Sequence, residues 1–142
     1  MSYYELLERD PERMRRFMRG MAPIEERMPI AGIYDFSWAV AAAEADPASE
    51  RPLFVDVGGG RGHAIKAIRT EFPALPIARF VLQDRKEVIE AGKALDDPDL
   101  RGIQRMVIDF HESQPLQGLS ITDTIMSWSA MCSHILEFEA AD

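Results

Sequence analysis

An α/β fold with a parallel sheet, preceded by a helical amino-terminal segment, is predicted by three observations. From residue 53 onward, apolar strand-like runs alternate with amphipathic helical runs. The first of those strands leads into a turn with four glycines in five positions, Gly58 to Gly62, and the second ends on an acid, Asp84. Strand–helix–strand repeats of this kind form a parallel sheet with right-handed crossovers and helices on its faces. The chain is accordingly read as a helical segment over residues 1–50 and an α/β domain over residues 51–142.

Each element has a local signature. Ser2 with Glu5 has capping-box spacing, and Asp10 before Pro11 is an N-cap followed by proline at the first helical position. Met14, Phe17, Met18 and Met21 recur at helical spacing, with Arg13, Arg15, Arg16 and Arg19 largely on the other side. A methionine stripe of this kind is read as a packing face. A second helix is expected over about residues 31–46, ending at Asp46-Pro47 because the residue before proline disfavours the helical region. Leu53–Val57 then reads as a buried strand, His63–Phe72 as a helix, Ala78–Gln83 as a strand, Glu87–Leu95 as a helix and Ile103–Ile108 as a strand. A further strand is expected around Thr122–Trp128, with a short helix in the tail.

Composition narrows the function. The 142 residues are 46% hydrophobic and 28% charged, as in a globular protein able to bury a core. A formal net charge of −8 argues against a nucleic-acid partner, which needs a basic surface. No apolar run approaches the roughly 20 residues of a bilayer span. Cys132 stands alone and the amino terminus is charged, so the reading is a cytoplasmic protein without a disulfide framework. Cys132 with His134, and His111 by itself, lack metal-ligand spacing, and no metal is expected.

The glycine turn carries the chemistry. In an open parallel sheet, ligands sit beyond the carboxyl ends of the strands, where the turn leaving the first strand meets them. Glycines there allow positive φ and remove the Cβ that would hold a ligand away, while the next helix offers free N–H groups. Asp84, at the end of the following strand, stands where an acid accepts hydrogen bonds from ribose hydroxyls. The dinucleotide pattern G-x-G-x-x-G would place a glycine or alanine at position 63, which is His63, whereas Gly58, Gly60 and Gly62 fit G-x-G-x-G. A triphosphate-binding G-x-x-x-x-G-K-[ST] loop is absent from the sequence. S-adenosylmethionine becomes the leading candidate. His63, beside the glycines, is equally readable as a cofactor contact or an exposed helix-start residue.

The segments "LFVDVGGGRGH", "RFVLQDRKEVIEAGK" and "GIQRMVIDFHESQPLQG" resemble, in order and spacing, the S-adenosylmethionine-dependent O-methyltransferases of fungal and plant secondary metabolism. With "LERDPERMRRFMRGM" the resemblance covers roughly residues 3–120 and implies a Rossmann-like class I methyltransferase sheet, in part. It implies that Gly58, Gly60 and Gly62 line the methionine and ribose part of S-adenosylmethionine or S-adenosylhomocysteine, and that Asp84 binds the ribose hydroxyls. Asp109 and Phe110 would flank the adenine, and Asp56 would support the turn from beneath. The family's general-base histidine would fall eleven residues beyond Gly118, where this chain has Ser129, followed by Ala130 and Met131. Serine is no effective base near neutral pH, and His134 lies five residues further on. The family's winged-helix segment and its later strands have no counterpart in these residues. The expectation is a truncated cofactor-binding domain. It is either an O-methyltransferase whose acceptor pocket another chain completes, or a pseudoenzyme that scaffolds or guides cyclisation of a biosynthetic intermediate. A homodimer, or a complex with another biosynthetic protein, would cover the exposed edge and apolar faces.

Overall fold

The computed structural model describes residues 6–7, 9–27, 31–109, 112–116 and 125–128. Ser2, Glu5 and the expected tail helix lie outside them. The chain divides into two compact units, residues 1–34 and 35–142.

In the first unit, helix α1 (Pro11–Arg27) starts where the Asp-Pro pair places it. The Asp10 carboxylate accepts the amides of Glu12 and Arg13 at 3.0 and 3.2 Å, satisfying two donors that a helix start leaves open. Met14 and Phe17 are half-buried, while Arg13, Arg15, Arg16 and Arg19 are exposed. Glu12 faces three of these arginines, with Arg15 at 2.7 Å, Arg19 at 3.6 Å and Arg16 at 4.0 Å. Exposed pairs of this kind contribute little to stability.

The second unit begins with helix α2 (Ser37–Ala45). It starts later than the expected residue 31, because Gly32 takes φ 78° in a turn that spans the intervening residues. Then follow β1 (Phe54–Val57), α3 (His63–Glu71), β2 (Phe80–Asp84), α4 (Lys86–Leu95), β3 (Gln104–Val107) and β4 (Ile125–Trp128). Strand β2 opens two residues after the expected Ala78, because Pro76 leads into a 3₁₀ turn over Ile77–Arg79. The four strands are parallel and ordered β3-β2-β1-β4.

Strand β1 is central, and every residue of "FVDV" is buried, as expected of a parallel strand covered on both faces. Alternation divides its side chains. Phe54 joins Phe80, Leu82, Ile65, Ile68, Ile89 and Leu100 on one face, whereas Val55, Val57 and Val81 meet Met106, Ile108 and Leu116 on the other. Helix α2, grouped by sequence with the amino-terminal segment, adds Phe36, Ala39 and Ala43 to the larger cluster. Phe36 stands edge-on to both Phe54 and Phe72, with ring centres 6.4 and 5.8 Å apart. Such aromatic pairs add about 0.5–1.5 kcal/mol beyond the area they bury.

An ion pair fixes α3 to the segment ahead of β3. Lys66 Nζ lies 2.9 Å from Asp97 Oδ2, and Asp97 Oδ1 accepts the Asp99 amide at 3.0 Å at the start of the 3₁₀ turn Pro98–Leu100. The Lys66 hydrogen bond, with that of the Asp99 amide, holds the Asp97 carboxyl below its ordinary value of 3.8. A carboxyl depressed in the folded state contributes stability above its unfolded value and loses it as pH falls through the folded value. Urea unfolding is therefore expected to show wild type losing stability relative to Asp97→Asn as pH drops below about 4, with the difference constant from pH 5 to 7.

Candidate functional site

The strand order changes direction at β1. The chain adds β2 and β3 on one side of it, then returns to place β4 on the other, and in open parallel sheets ligands bind at such a switch point, beyond the carboxyl ends of the strands. The glycine turn leaves β1 at this end of the sheet. Gly58, Gly60 and Gly62 have φ values of 70°, 56° and 73°, a region that L side chains rarely adopt.

The glycines serve different purposes. Among the described residues, a Cβ on Gly60 would meet nothing within 4 Å, so the turn is open at this position. A Cβ on Gly62 would lie 2.8 Å from Leu100 Cδ1, so this glycine lets α3 start against the core. A Cβ on Gly59 would lie 2.5 Å from Asp56 Oδ2, so the backbone rests directly on that carboxylate, which is 1% exposed within β1.

The other wall of the turn is the end of β2. The Gly58 and Gly59 amides donate to the Gln83 carbonyl at 2.8 and 3.3 Å, and the Gly60 amide donates to Asp84 Oδ2 at 2.9 Å. Asp84 Oδ1 accepts the Arg85 amide at 2.8 Å. A carboxylate offers about four acceptor sites, so these two bonds leave lone pairs for further donors. The Asp84 carbonyl also accepts the Ile108 amide at 3.0 Å, which ties β3's exit to the same point.

Asp56, Gly58, Gly60, Gly62 and Asp84 thus converge at one end of the sheet. Asp109 lies two residues beyond β3 and is exposed, while Phe110, His111, Ser129, Cys132 and His134 lie outside the described residues. His63 is exposed as the first residue of α3. Among the described residues, no three His, Cys, Asp or Glu side chains group as a metal site would need. No described helix is long and apolar enough to cross a membrane.

Sequence reasoning missed Gln83 and Gln114. Gln83 is fully buried, and its side chain pairs with that of Gln114 through two hydrogen bonds of 2.7 and 2.9 Å. The available signal was a polar residue inside the apolar run "RFVLQ", next to the acid.

A model of the O-methyltransferase domain matches residues 1–138. The chain belongs to that family. Its curated relatives include the methyltransferase cfoD of Aspergillus candidus, 48% identical over 125 residues, a match covering 85% of this chain and 30% of the relative. The chain therefore spans about a third or less of such relatives. Two solved structures, LepI in complex with S-adenosylmethionine and one described as a pericyclic reaction enzyme, are each 30% identical with a TM-score of 0.55. Each likeness covers 83% of this chain and 29% of the other. The parallel sheet preceded by helices is the class I methyltransferase arrangement, in part, and the family's methyl donor is S-adenosylmethionine.

The tight contact beneath the turn yields a stability expectation. Gly59→Ala should cost about 1–3 kcal/mol in urea unfolding, the usual range for overpacking, because the buried Asp56 side chain must move. A variant as stable as wild type would show that the turn rises freely off Asp56.

Proposed function

We propose that this chain binds S-adenosylmethionine at the carboxyl end of β1 and takes part in O-methylation of a small hydroxylated product of secondary metabolism. The observation that carries the reading is the glycine turn whose three successive amides are held by Gln83 and Asp84, with its rim open at Gly60. In this reading, Gly58, Gly60 and Gly62 pass under the methionine and ribose portion. Asp84 accepts the ribose hydroxyls with its remaining lone pairs, Asp109 and Phe110 flank the adenine, and Asp56 keeps the turn raised. The bound cofactor supplies an electrophilic methyl group on a sulfonium. The chain's own contribution is to hold and orient it: the buried Asp84 carboxylate is already fixed by two amides, so little reorganisation accompanies binding.

The second reading is a protein that binds the same cofactor and guides cyclisation of an intermediate without transferring methyl. Ser129 at the position expected for the base favours it, as does the likeness to a pericyclic reaction enzyme. General-base assistance contributes about 10²–10⁴-fold, so its loss leaves a slow hydroxyl methyltransferase at best.

Calorimetry is expected to detect S-adenosylmethionine or S-adenosylhomocysteine, with Asp84→Ala weakening binding by about 1–3 kcal/mol, the scale of lost charge-assisted hydrogen bonds. A folded chain that takes up neither ligand at millimolar concentration would overturn the site. Release of S-adenosylhomocysteine in the presence of phenolic or enolic acceptors separates the first reading from the second.

Association is part of the proposal. β3 ends the described sheet with Val107 52% exposed, and an open strand edge invites cover. A homodimer or a complex with another biosynthetic protein is expected, and light scattering at micromolar concentration, followed by pull-down, would refute it by returning a partnerless monomer.

A further inference from the structure

We infer that Gln83 and Gln114 form a positioning pair that sets the glycine turn and Asp84 for the ligand, making adenosine binding depend on the loop after β3. The inference rests on the cofactor site proposed above. Neither residue is assigned to touch the ligand.

Gln83 occupies an unusual place for an amide. It lies opposite Val57 on β1 and Met106 on β3, on the face that Val55, Val57 and Val81 share with Ile108 and Leu116. An amide buried there is tolerated only when its hydrogen bonds are made. Gln114 makes them: Gln83 Nε2 donates to Gln114 Oε1 at 2.7 Å, and Gln114 Nε2 donates to Gln83 Oε1 at 2.9 Å. Gln83 Nε2 also lies 3.2 Å from Met106 Sδ, and Gln114 Oε1 also accepts the Leu116 amide at 3.3 Å. The side chain is therefore held from β3 and from the loop that follows it.

The main chain of the same residue holds the turn. The Gln83 carbonyl takes the Gly58 and Gly59 amides, and the next residue takes that of Gly60. A shift of the Gln83 side chain moves the peptide that three turn amides and the Asp84 carboxylate depend on. Glycines resist such a shift less than other residues, because their backbone has several accessible conformations. Without Gln114, the pairing that keeps Gln83 in one orientation is lost, and the turn loses its reference point.

The pair's reciprocity supplies the test. In Gln114→Glu, one carboxylate oxygen still accepts from Gln83 Nε2, but the other faces Gln83 Oε1, acceptor against acceptor. The pair is restored only when that oxygen carries a proton. Glutamate ordinarily titrates near 4.3, and an acceptor held opposite, at a half-buried position, raises this. Asp56, Asp84, Arg105, Asp109 and Glu112, the ionisable groups on the neighbouring elements, are the same in both proteins, so the affinity ratio at each pH isolates position 114.

S-adenosylhomocysteine binding to the full chain is measured at pH 8 and pH 5, alongside hydrogen exchange at the Gly58, Gly59 and Gly60 amides without ligand. Gln114→Glu is expected to bind about tenfold more weakly than wild type at pH 8, with the gap narrowing at pH 5. Its turn amides should exchange faster while those of β1 keep their protection. Gln114→Asn, too short to complete the pair, should show both losses at either pH and serves if the glutamate variant does not fold. Wild-type affinity together with unchanged turn protection in either variant at pH 8 would overturn the inference. If wild type itself binds no ligand, the cofactor reading fails, and the exchange measurement alone decides whether the pair sets the turn.

Discussion

Gly58, Gly59 and Gly60 donate three successive amides to two residues, Gln83 and Asp84, at the end of the neighbouring strand. Everything distinctive about this end of the sheet follows from that arrangement. A turn with positive φ at alternate positions has no regular hydrogen-bond ladder of its own, and amides left unpaired beside a buried strand would be costly. Handing them to β2 resolves this and fixes where the turn can lie. It also brings Asp84 to the rim of the turn, because its carboxylate is bonded to the Gly60 amide.

The core makes this possible. Strand β1 is short and buried on both faces, and its neighbours hold it in register: Phe54 lies opposite Phe80 on one side and Ile125 on the other. Packing on the Phe54 face comes from three helices and two 3₁₀ turns, with Phe36, Ile65, Ile89, Ile77 and Leu100 among the residues involved. Among the described residues the opposite face has fewer apolar side chains, and Gln83 lies within it. Thus the better-filled side anchors the strands, whereas the other side carries the buried Gln83 amide and its half-buried partner Gln114.

Much of this was legible in the residues. Glycines at alternate positions in Gly58–Gly62 forecast the left-handed backbone, and an acid closing the next strand forecast the position of Asp84, because both are local requirements with few alternatives. Other features depend on distant contacts. Ile33 and Tyr34 extend an apolar pattern that reads as helix, yet both are exposed, and Gly32 with φ 78° delays the helix to Ser37. The grouping of α2 with the sheet depends on Phe36 meeting Phe54, which periodicity does not reveal. Gln83 is marked as a polar residue inside an apolar run, but its partner is 31 residues away and nothing local points to it. The roles of Phe110 and Ser129 fall where the fold is not described, so only the family resemblance speaks to them.

The strand order also shapes how the sheet assembles. The β1–β2 pairing closes over one helix, but β4 reaches β1 only after the whole β2–α4–β3 segment has been traversed, joining Phe54 to Ile125. Loop-closure entropy makes that last parallel contact the slow one, and until it forms, the second edge of "FVDV" stands bare. An all-buried strand with an unpaired edge is the part of a folding intermediate most prone to join another molecule. Refolding yield should therefore be governed by protein concentration during the interval before β4 arrives, rather than by the stability of the finished sheet.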